Sequence, residues 1–521
     1  MSSEPHYARE ALQIHVFLDA ALTNGAGRER LLRLWQACGQ LGMDRPLPPA
    51  ADLTLPAAIG GTPGFRQVKV RQSQSPGVYE AMLYTHGDIV GLTVMLAPAD
   101  DGGTHTAAQA GRVWADLDEQ WNRAIGTSLD PTAEEDPVIG TARIYRALTA
   151  DPSSAPHTPE AVGDELRRLV PGTSATPGRL SEHIPLDIGL SLWEVTPTQA
   201  DLTSRDRRLI TTAPADDTHE ERLDSWVWAD GSGTPVPLTR YLRHAAVVRH
   251  QHRVRAKDDE QLQSRHRRLR QEGDRLLTDC LRLLTTEGRT ARTSRRVLVR
   301  WEALAQHAQQ LLIEERLAAA EASDVCTMGH TVRIASTALA DSLGSTGLRP
   351  FGSDVRCADQ LATLLENDTF YLDIARQRVA EATRIATETA TQRLQSHQQY
   401  LSLIQTSIIG GLLMALAAVQ TLGYKLPLAQ PVQGPFIALL ATLALCLPTV
   451  IIRRWRGGDG GRPGAAFEIT SLAATGAAAG WLLNRLAVGA HGALATTAAC
   501  IAAGAALFTA AGAWLVRRAF S

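Results

Sequence analysis

Cys326 and His330 stand four residues apart, one helical turn, and Cys357 follows, so three soft side chains could converge on one metal. Thiolates and an imidazole are soft metal ligands. The plainer alternative is a buried thiol and an ordinary histidine. His86 and Asp88 flank a glycine and could serve as a base and its orienting carboxylate. A Gly/Asp turn accounts for them as well. His219-Glu220-Glu221 lacks the second histidine of a metalloprotease helix and reads as part of a polar loop. None of the three lysines (Lys69, Lys257, Lys425) closes a Walker-type phosphate loop, and no Gly-x-Ser-x-Gly elbow occurs. The expectation is therefore no catalytic residue, no metal, no cofactor, and a protein that is not an enzyme.

Charge is the other chemical signal. The chain carries a net charge of only -2, yet residues 240–300 hold 17 Lys/Arg against 7 Asp/Glu. Within that run Arg265, Arg267, Arg268 and Arg270 form a patch suited to nucleic-acid phosphates or anionic lipid headgroups. A solvated helix face paired with acids elsewhere is the alternative. No aromatic residues interleave these arginines, so base stacking on single strands has no support. The six cysteines are scattered without a CxxC pair, which fits reduced thiols better than a disulfide framework.

Residues 10 to about 230 must be held by alternating strands and helices. Leu12, Ile14, Val16 and Leu18 alternate with Gln13, His15 and Phe17, the period of a half-buried strand. A helix follows through Leu31, Leu34, Trp35 and Cys38. Strands are then predicted over Phe65 to Arg71 and Val78 to Leu96, the second broken by a turn at His86-Gly87-Asp88. Trp114, Leu117, Trp121 and Ile125 mark the next helix. The order recurs with a strand from Val138 to Leu148, a helix from Ala161 to Val170, alternation from Leu186 to Leu192, and strands at Arg208 to Thr212 and Ser225 to Ala229. Tandem β-α-β-β-β-α units, each an antiparallel sheet with helices on one face, are expected, with a single larger mixed sheet as the alternative.

Beyond residue 239 the strand signals stop. Leu365, Leu372, Val379 and Ala386 recur every seven residues, a heptad that predicts helix-on-helix packing. Neither proline nor glycine interrupts Ser353 to Thr406, so one helix is expected to run on as a stalk. Four apolar stretches follow, at 401–424, 429–452, 465–484 and 493–516, each near the roughly 20 residues needed to cross hydrocarbon. Arg453, Arg454 and Arg456 after the second, and Arg517 and Arg518 after the fourth, would set the topology by keeping both basic segments cytoplasmic. The start MSSEPHYARE has no secretory pattern. This predicts a multi-pass inner-membrane protein with its bulk and both termini in the cytoplasm. Gly476 and Gly480 form a GxxxG that permits close helix contact in lipid. The expected fold is an α+β region over 1–235, an all-α helical or coiled-coil middle over 236–400, and a four-helix transmembrane region over 401–521.

The segments LQIHVFLDA, RLLRLWQACGQLGM, YTHGDIVGLTVMLAP and WADLDEQW, with FYLDIARQR and RLQSHQQYLSLIQTSIIGGLLMALAAVQTLGYKLPL later, resemble the CATRA proteins, CASPASE and TPR repeat-associated components of bacterial conflict systems. The resemblance implies an N-terminal α+β domain, a C-terminal helical domain, and a caspase-like peptidase and a TPR-containing protein as partners. It brings no catalytic residues. The expected function is a membrane-anchored, non-enzymatic sensor or adaptor in immunity or programmed cell death. Membrane lipid is an expected partner and a homo-oligomer a further one. A membrane-perturbing effector with oligomerising spans, and a nucleic-acid or anionic-lipid sensor acting through residues 240–300, are the alternatives.

Overall fold

The computed structural model describes residues 6–24, 27–48, 52–99, 102–126, 129, 136–150, 158–172, 179–196, 204–229, 233–289, 295–342, 352–425, 430–455, 462–488 and 494–519. The strands are β1 (His6–Asp19), β2 (Arg45–Pro46), β3 (Thr62–Gln72), β4 (Val78–Gly87), β5 (Ile89–Ala97), β6 (His105–Thr106), β7 (Val138–Thr149), β8 (Arg179–Leu180), β9 (Ile184–Asp187), β10 (Leu190–Thr196) and β11 (Asp206–Pro214). The helices are α1 (Arg28–Gln40), α2 (Ala107–Ile125), α3 (Pro159–Arg167), α4 (Asp217–Val227), α5 (Pro237–Arg289), α6 (Arg295–Ser342), α7 (Gly352–Lys425), α8 (Gln430–Trp455), α9 (Arg462–Val488) and α10 (Leu494–Ala519). The chain divides into two compact units, Met1–Gln263 with Glu321–Tyr371, and Ser264–Ala320 with Leu372–Ser521.

In the first unit all the strands join one sheet in the order β2-β3-β4-β5-β1-β7-β11-β10-β8, with β6 beside β1 and β9 beside β10. The expected pair of separate sheets is therefore corrected to the single mixed sheet. Both halves do repeat strand, helix, strands, helix. They fuse because β1 and β7 pair antiparallel, with Val16 opposite Thr141, while β11 lies parallel to β7, with Leu209 opposite Ile144.

Helices cover both faces of this sheet, not one. On the first face Leu12, Ile14, Val16 and Leu18 pack with Trp35 of α1, Trp114 and Trp121 of α2, and Leu166 of α3. On the second, Phe17, Ile144, Leu192 and Leu209 pack under Leu223 of α4, Tyr241 of α5, Val332 of α6 and Leu361 of α7. The intervening residues of β1 looked solvated because they are polar. Gln13 and His15 are nevertheless buried, and each answers the other: Gln13 Nε2 lies 3.0 Å from His15 Nε2 and donates to the Val227 carbonyl, while His15 Nδ1 meets Thr93 Oγ1 at 3.0 Å. Buried polar groups that satisfy one another escape the desolvation cost that the half-buried reading assumed.

Local chemistry sets the helix starts. Thr106 and Gln109 form a capping box at α2, and Thr158 caps α3 ahead of Pro159. Asp216 accepts from the His219 backbone N–H at 2.9 Å and starts α4. The expected polar loop at His219-Glu220-Glu221 and the first three residues of the expected strand at Ser225 to Ala229 thus belong to one helix, which buries Leu223 and Val227 four residues apart.

In the second unit the C-terminal part of α5, the N-terminal part of α6 and the middle of α7 form a helical core of Leu269, Leu276, Trp301, Leu304, Ala308, Val379 and Ala386. Val379 and Ala386 come from the predicted heptad. Gly273 of α5 lets that helix close on α7, since a Cβ there would stand 3.1 Å from Val379 Cγ2. The helix α7 runs unbroken from Gly352 to Lys425, through the breaker-free stretch Ser353 to Thr406 and on past Gly410 and Gly411.

The four transmembrane spans are also corrected. Among the described residues one helix is long and apolar enough to cross a membrane, Leu494–Ala511 within α10, with a mean hydropathy of 1.7. The apolar stretch of α8 is shorter, Pro431–Ala444. Much of α9 is alanine, glycine and threonine, whose transfer free energies are small, and α9 also carries Arg462, Glu468, Asn484 and Arg485. For α9 a nearly charge-free run therefore overstated the membrane affinity. The sidedness argument falls with it. Arg453 and Arg454 end α8, Arg517 and Arg518 end α10, and Arg456 lies outside the described residues.

Candidate functional site

The most highly organised polar cluster lies where the end of the sheet meets the helices of the first unit. Leu190, Leu192 and Glu194 share one face of β10, and Arg207 shares a face with Leu209 of β11, so an acid and a base occupy core-facing positions. Asp354 is likewise on the buried face of α7, four residues before Ala358 and seven before Leu361. Arg207 grips Glu194 in a bidentate pair, Nε to Oε1 at 2.8 Å and Nη2 to Oε2 at 2.7 Å. Its Nη1 lies 2.9 Å from Asp354 Oδ2. Arg249 of α5 donates Nη2 to Asp354 Oδ1 at 2.9 Å, and the Tyr241 hydroxyl donates to Oδ2. All five side chains are nine-tenths or more buried.

Two guanidinium groups and two carboxylates balance, and the bidentate geometry supplies the hydrogen bonds that a dry ion pair needs. Burial alone would keep Asp354 protonated, but Arg207, Arg249 and the Tyr241 hydroxyl outweigh it and hold its carboxyl at about 2. Burial and the neighbouring Asp354 drive the Tyr241 hydroxyl far above its ordinary range. Asp354 and Tyr241 are both moved away from neutrality, so the arrangement suits fixing helices to strands rather than acid–base catalysis.

A second cluster gathers His86 of β4 with Arg243 and His244 of α5. Arg243 is 8 % exposed, and its Nη2 meets His244 Nε2 at 2.7 Å. Burial, then Arg243 and Arg240, press His86 down to about 4, and burial with the same arginines presses His244 to about 3. Asp88 takes no part in this: His86 Nδ1 has no hydrogen-bond partner among the described residues, and the backbone carbonyl of Asp88 accepts from the Ala20 N–H. The paired base and carboxylate of the sequence reading are thus not assembled.

His15 is pushed to about 3 by burial alone. A histidine depressed in the folded state stays neutral there while the unfolded chain takes up a proton below about 6.5. Stability is therefore full above that value and falls as the pH is lowered. For the fully buried His15 the slope is roughly 1.4 kcal/mol per pH unit. Urea titrations at pH 7, 6 and 5 are expected to give steadily lower midpoints; a flat profile would contradict burial of His15 as a neutral ring.

The remaining sequence candidates separate. Cys326 and His330 are exposed on α6, whereas Cys357 is buried on α7 in the second-face core. Among the described residues no group of three His, Cys, Asp or Glu side chains could hold a metal. His219 meets Asp216 Oδ2 at 2.6 Å, and Glu220 pairs with Arg146 at 2.9 Å and with Arg9. Asp217, Glu220, Glu221 and Asp224 line a cleft of about 420 Å³ beside α4, and both Glu220 and Asp224 are already engaged by Arg146. The basic run divides. Arg249 is the buried pair described above, Arg253 donates to the Ile139 carbonyl, and Arg255 binds Asp368 at 2.9 Å. Arg265, Arg267, Arg268 and Arg270 are exposed along α5 in the second unit.

Gly476 and Gly480 of α9 face Gly504 of α10, so closely that a Cβ at Gly476 would collide with the Gly504 carbonyl and one at Gly480 with the Cys500 carbonyl. Asn484 Nδ2 donates to Thr497 Oγ1 at 2.9 Å across the same crossing. Sequence reading missed Glu194, Arg207, Arg249, Asp354 and Gly504. The available signal for the first two was a charged residue at an inward strand position.

The model of the CASPASE and TPR Repeat-Associated N-terminal domain matches residues 11–231, and that of the CASPASE and TPR Repeat-Associated C-terminal domain matches residues 236–379. No curated protein and no solved structure matches the chain. The buried ionic cluster joins the two matched stretches: Glu194 and Arg207 belong to the first, Tyr241, Arg249 and Asp354 to the second.

Proposed function

The chain belongs to the CATRA family, the CASPASE and TPR Repeat-Associated proteins, and on that premise we propose that it is a non-enzymatic adaptor of a bacterial conflict system. CATRA domains are associated with caspase and TPR conflict systems. In this reading the paired domains present a preformed surface to a caspase-like peptidase or a TPR-containing protein, and hydrolysis belongs to the partner. The single observation that carries it is the consecutive match of both CATRA domains over residues 11–379, with a charge-balanced buried network binding one domain to the other. A rigid junction is what an adaptor needs to pass a binding event from strands to helices.

Attachment to a membrane through α10 is the second part of the proposal, supported by the apolar Leu494–Ala511 stretch. Full-length protein used as bait in its own cells is expected to retain a caspase-like peptidase or a TPR-repeat protein. It should stay with vesicles through an alkaline carbonate wash, and removal of residues 494–519 should release it. Peptide or nucleotide turnover by the purified chain alone, lost on changing one acid or histidine, would replace the adaptor reading with an enzyme.

A further inference from the structure

A groove of about 600 Å³ lies along α1 in the first unit, and Arg71 of β3 is the one charged residue among those that line it. Leu32 and Trp35 of α1 form one wall, and Leu53 and Leu55 face them across the opening. Trp35 is fixed by donating Nε1 to the Leu53 carbonyl at 2.8 Å, which ties the two walls together. Gln36 and Gln40 are exposed along the rim.

Arg71 is 6 % exposed, and its guanidinium lies 4.9 Å from the centroid of the Trp35 ring. Its Nε donates to the Met43 carbonyl and its Nη1 to the Trp35 carbonyl at 2.7 Å. The remaining nitrogen, Nη2, finds no acceptor among the described residues. It lies against Gly39, where a Cβ would stand only 2.8 Å away, so the helix carries a mid-helix glycine at the point where the guanidinium approaches. Glycine costs a helix interior about 1 kcal/mol relative to alanine, and clearance for Arg71 accounts for it.

No carboxylate of the described residues pairs with Arg71. Burial lowers its pKa, against weaker opposing effects from Cys38 and Asp44. Burial pushes the Cys38 thiol up to about 12, so that group stays neutral. Arg207 and Arg249 of this unit are matched by Glu194 and Asp354, and Arg146 by Glu220 and Asp224, whereas the equally buried Arg243 meets His244. Two carbonyls near the C-terminal end of α1 offset part of the cost of burying the Arg71 cation. A full counter-charge is missing, and the open donor is beside an apolar groove of ligand size.

We propose that this groove binds a small organic carboxylate, its head on Arg71 and its apolar body between Trp35, Leu32, Leu53 and Leu55. One guanidinium with one free nitrogen suits a monoanion; a phosphate dianion would call for a second cation, and the lining supplies none. The inference stands on the groove alone and does not depend on the adaptor reading.

Calorimetry on the full-length chain tests it, with 3-phenylpropanoate, 3-phenylpropanamide and inorganic phosphate as probes. Saturable binding of the carboxylate to one site is expected, at least tenfold tighter than the amide or phosphate. Arg71→Met should abolish it. Because that variant could also loosen α1, Gln40→Glu serves beside it: a carboxylate added at the exposed rim should weaken binding at least tenfold while leaving the thermal midpoint unchanged. Equal affinity for acid and amide, no saturable binding of the acid, or undiminished binding in a folded Gln40→Glu protein would overturn the proposal.

Discussion

Asp354→Ala is expected to cost the first unit about 3–5 kcal/mol, the range for removing one partner of a buried ion pair. The loss leaves two guanidinium groups, Arg207 and Arg249, facing a single carboxylate, Glu194, in a site with almost no access to water. Glu194 already spends both oxygens on Arg207 and lies 3.6 Å from Arg249, so it cannot neutralise both. Asp354→Asn keeps the shape but not the charge, and should fall between. A paired replacement, Asp354→Leu with Arg249→Met, should recover much of the loss, because removing both charges removes the desolvation cost as well. Denaturation of full-length protein followed through the tryptophans gives the ranking. An Asp354→Ala midpoint equal to that of the unaltered chain would mean that the cluster does not hold the junction.

The same residue adds a second acid-sensitive term. Its folded pKa of about 2 lies below the ordinary 3.8, so its contribution is complete above pH 4 and disappears as the pH falls from 4 towards 2. The linked free energy is on the order of 2 kcal/mol. The histidine term acts higher, from about pH 6.5 downward. The decline is therefore expected to begin near pH 6.5 and to steepen below about pH 4, and Asp354→Asn should remove only the added steepness.

Particular residues show why some of this was legible in the sequence and some was not. Leu12, Ile14, Val16 and Leu18 betrayed β1, and Trp114, Leu117 and Trp121 betrayed α2, because burial of one face forces a period. The second face of the sheet was hidden because His15 and Gln13 pair with each other and with Thr93 and Val227, and periodicity counts only apolar side chains. Strand order was hidden for a different reason: parallel pairing of β7 with β11 joins residues about 65 positions apart and leaves no local trace. The ionic junction is equally non-local, since Glu194 and Asp354 meet only after the sheet and α7 are both formed. The heptad of α7 was visible since it repeats within one helix. In the tail, α9 is rich in alanine and glycine and carries Glu468 and Arg485, so its run is less apolar than its length suggests.

That same abundance of small residues leads to the opposite expectation at the crossing of α9 and α10. In an ordinary exposed helix, changing glycine to alanine gains about 1 kcal/mol. At Gly480 the change should instead destabilise, because the added methyl meets the backbone carbonyl of Cys500, which no rotamer can move aside. Gly476→Ala and Gly504→Ala should behave alike, since each would meet a carbonyl of the facing helix. Overpacking of this kind costs roughly 1–3 kcal/mol, and separation of the helices would also release Asn484 from Thr497. Hydrogen exchange on the full-length chain in lipid nanodiscs should show α10 amides of Gly480→Ala losing at least tenfold in protection. Ala474→Leu, at an exposed position of the same helix, should leave them unchanged. If Gly480→Ala protected α10 as well as the unaltered chain does, the close glycine crossing would be wrong, and α10 would have to be held by its apolar surface alone.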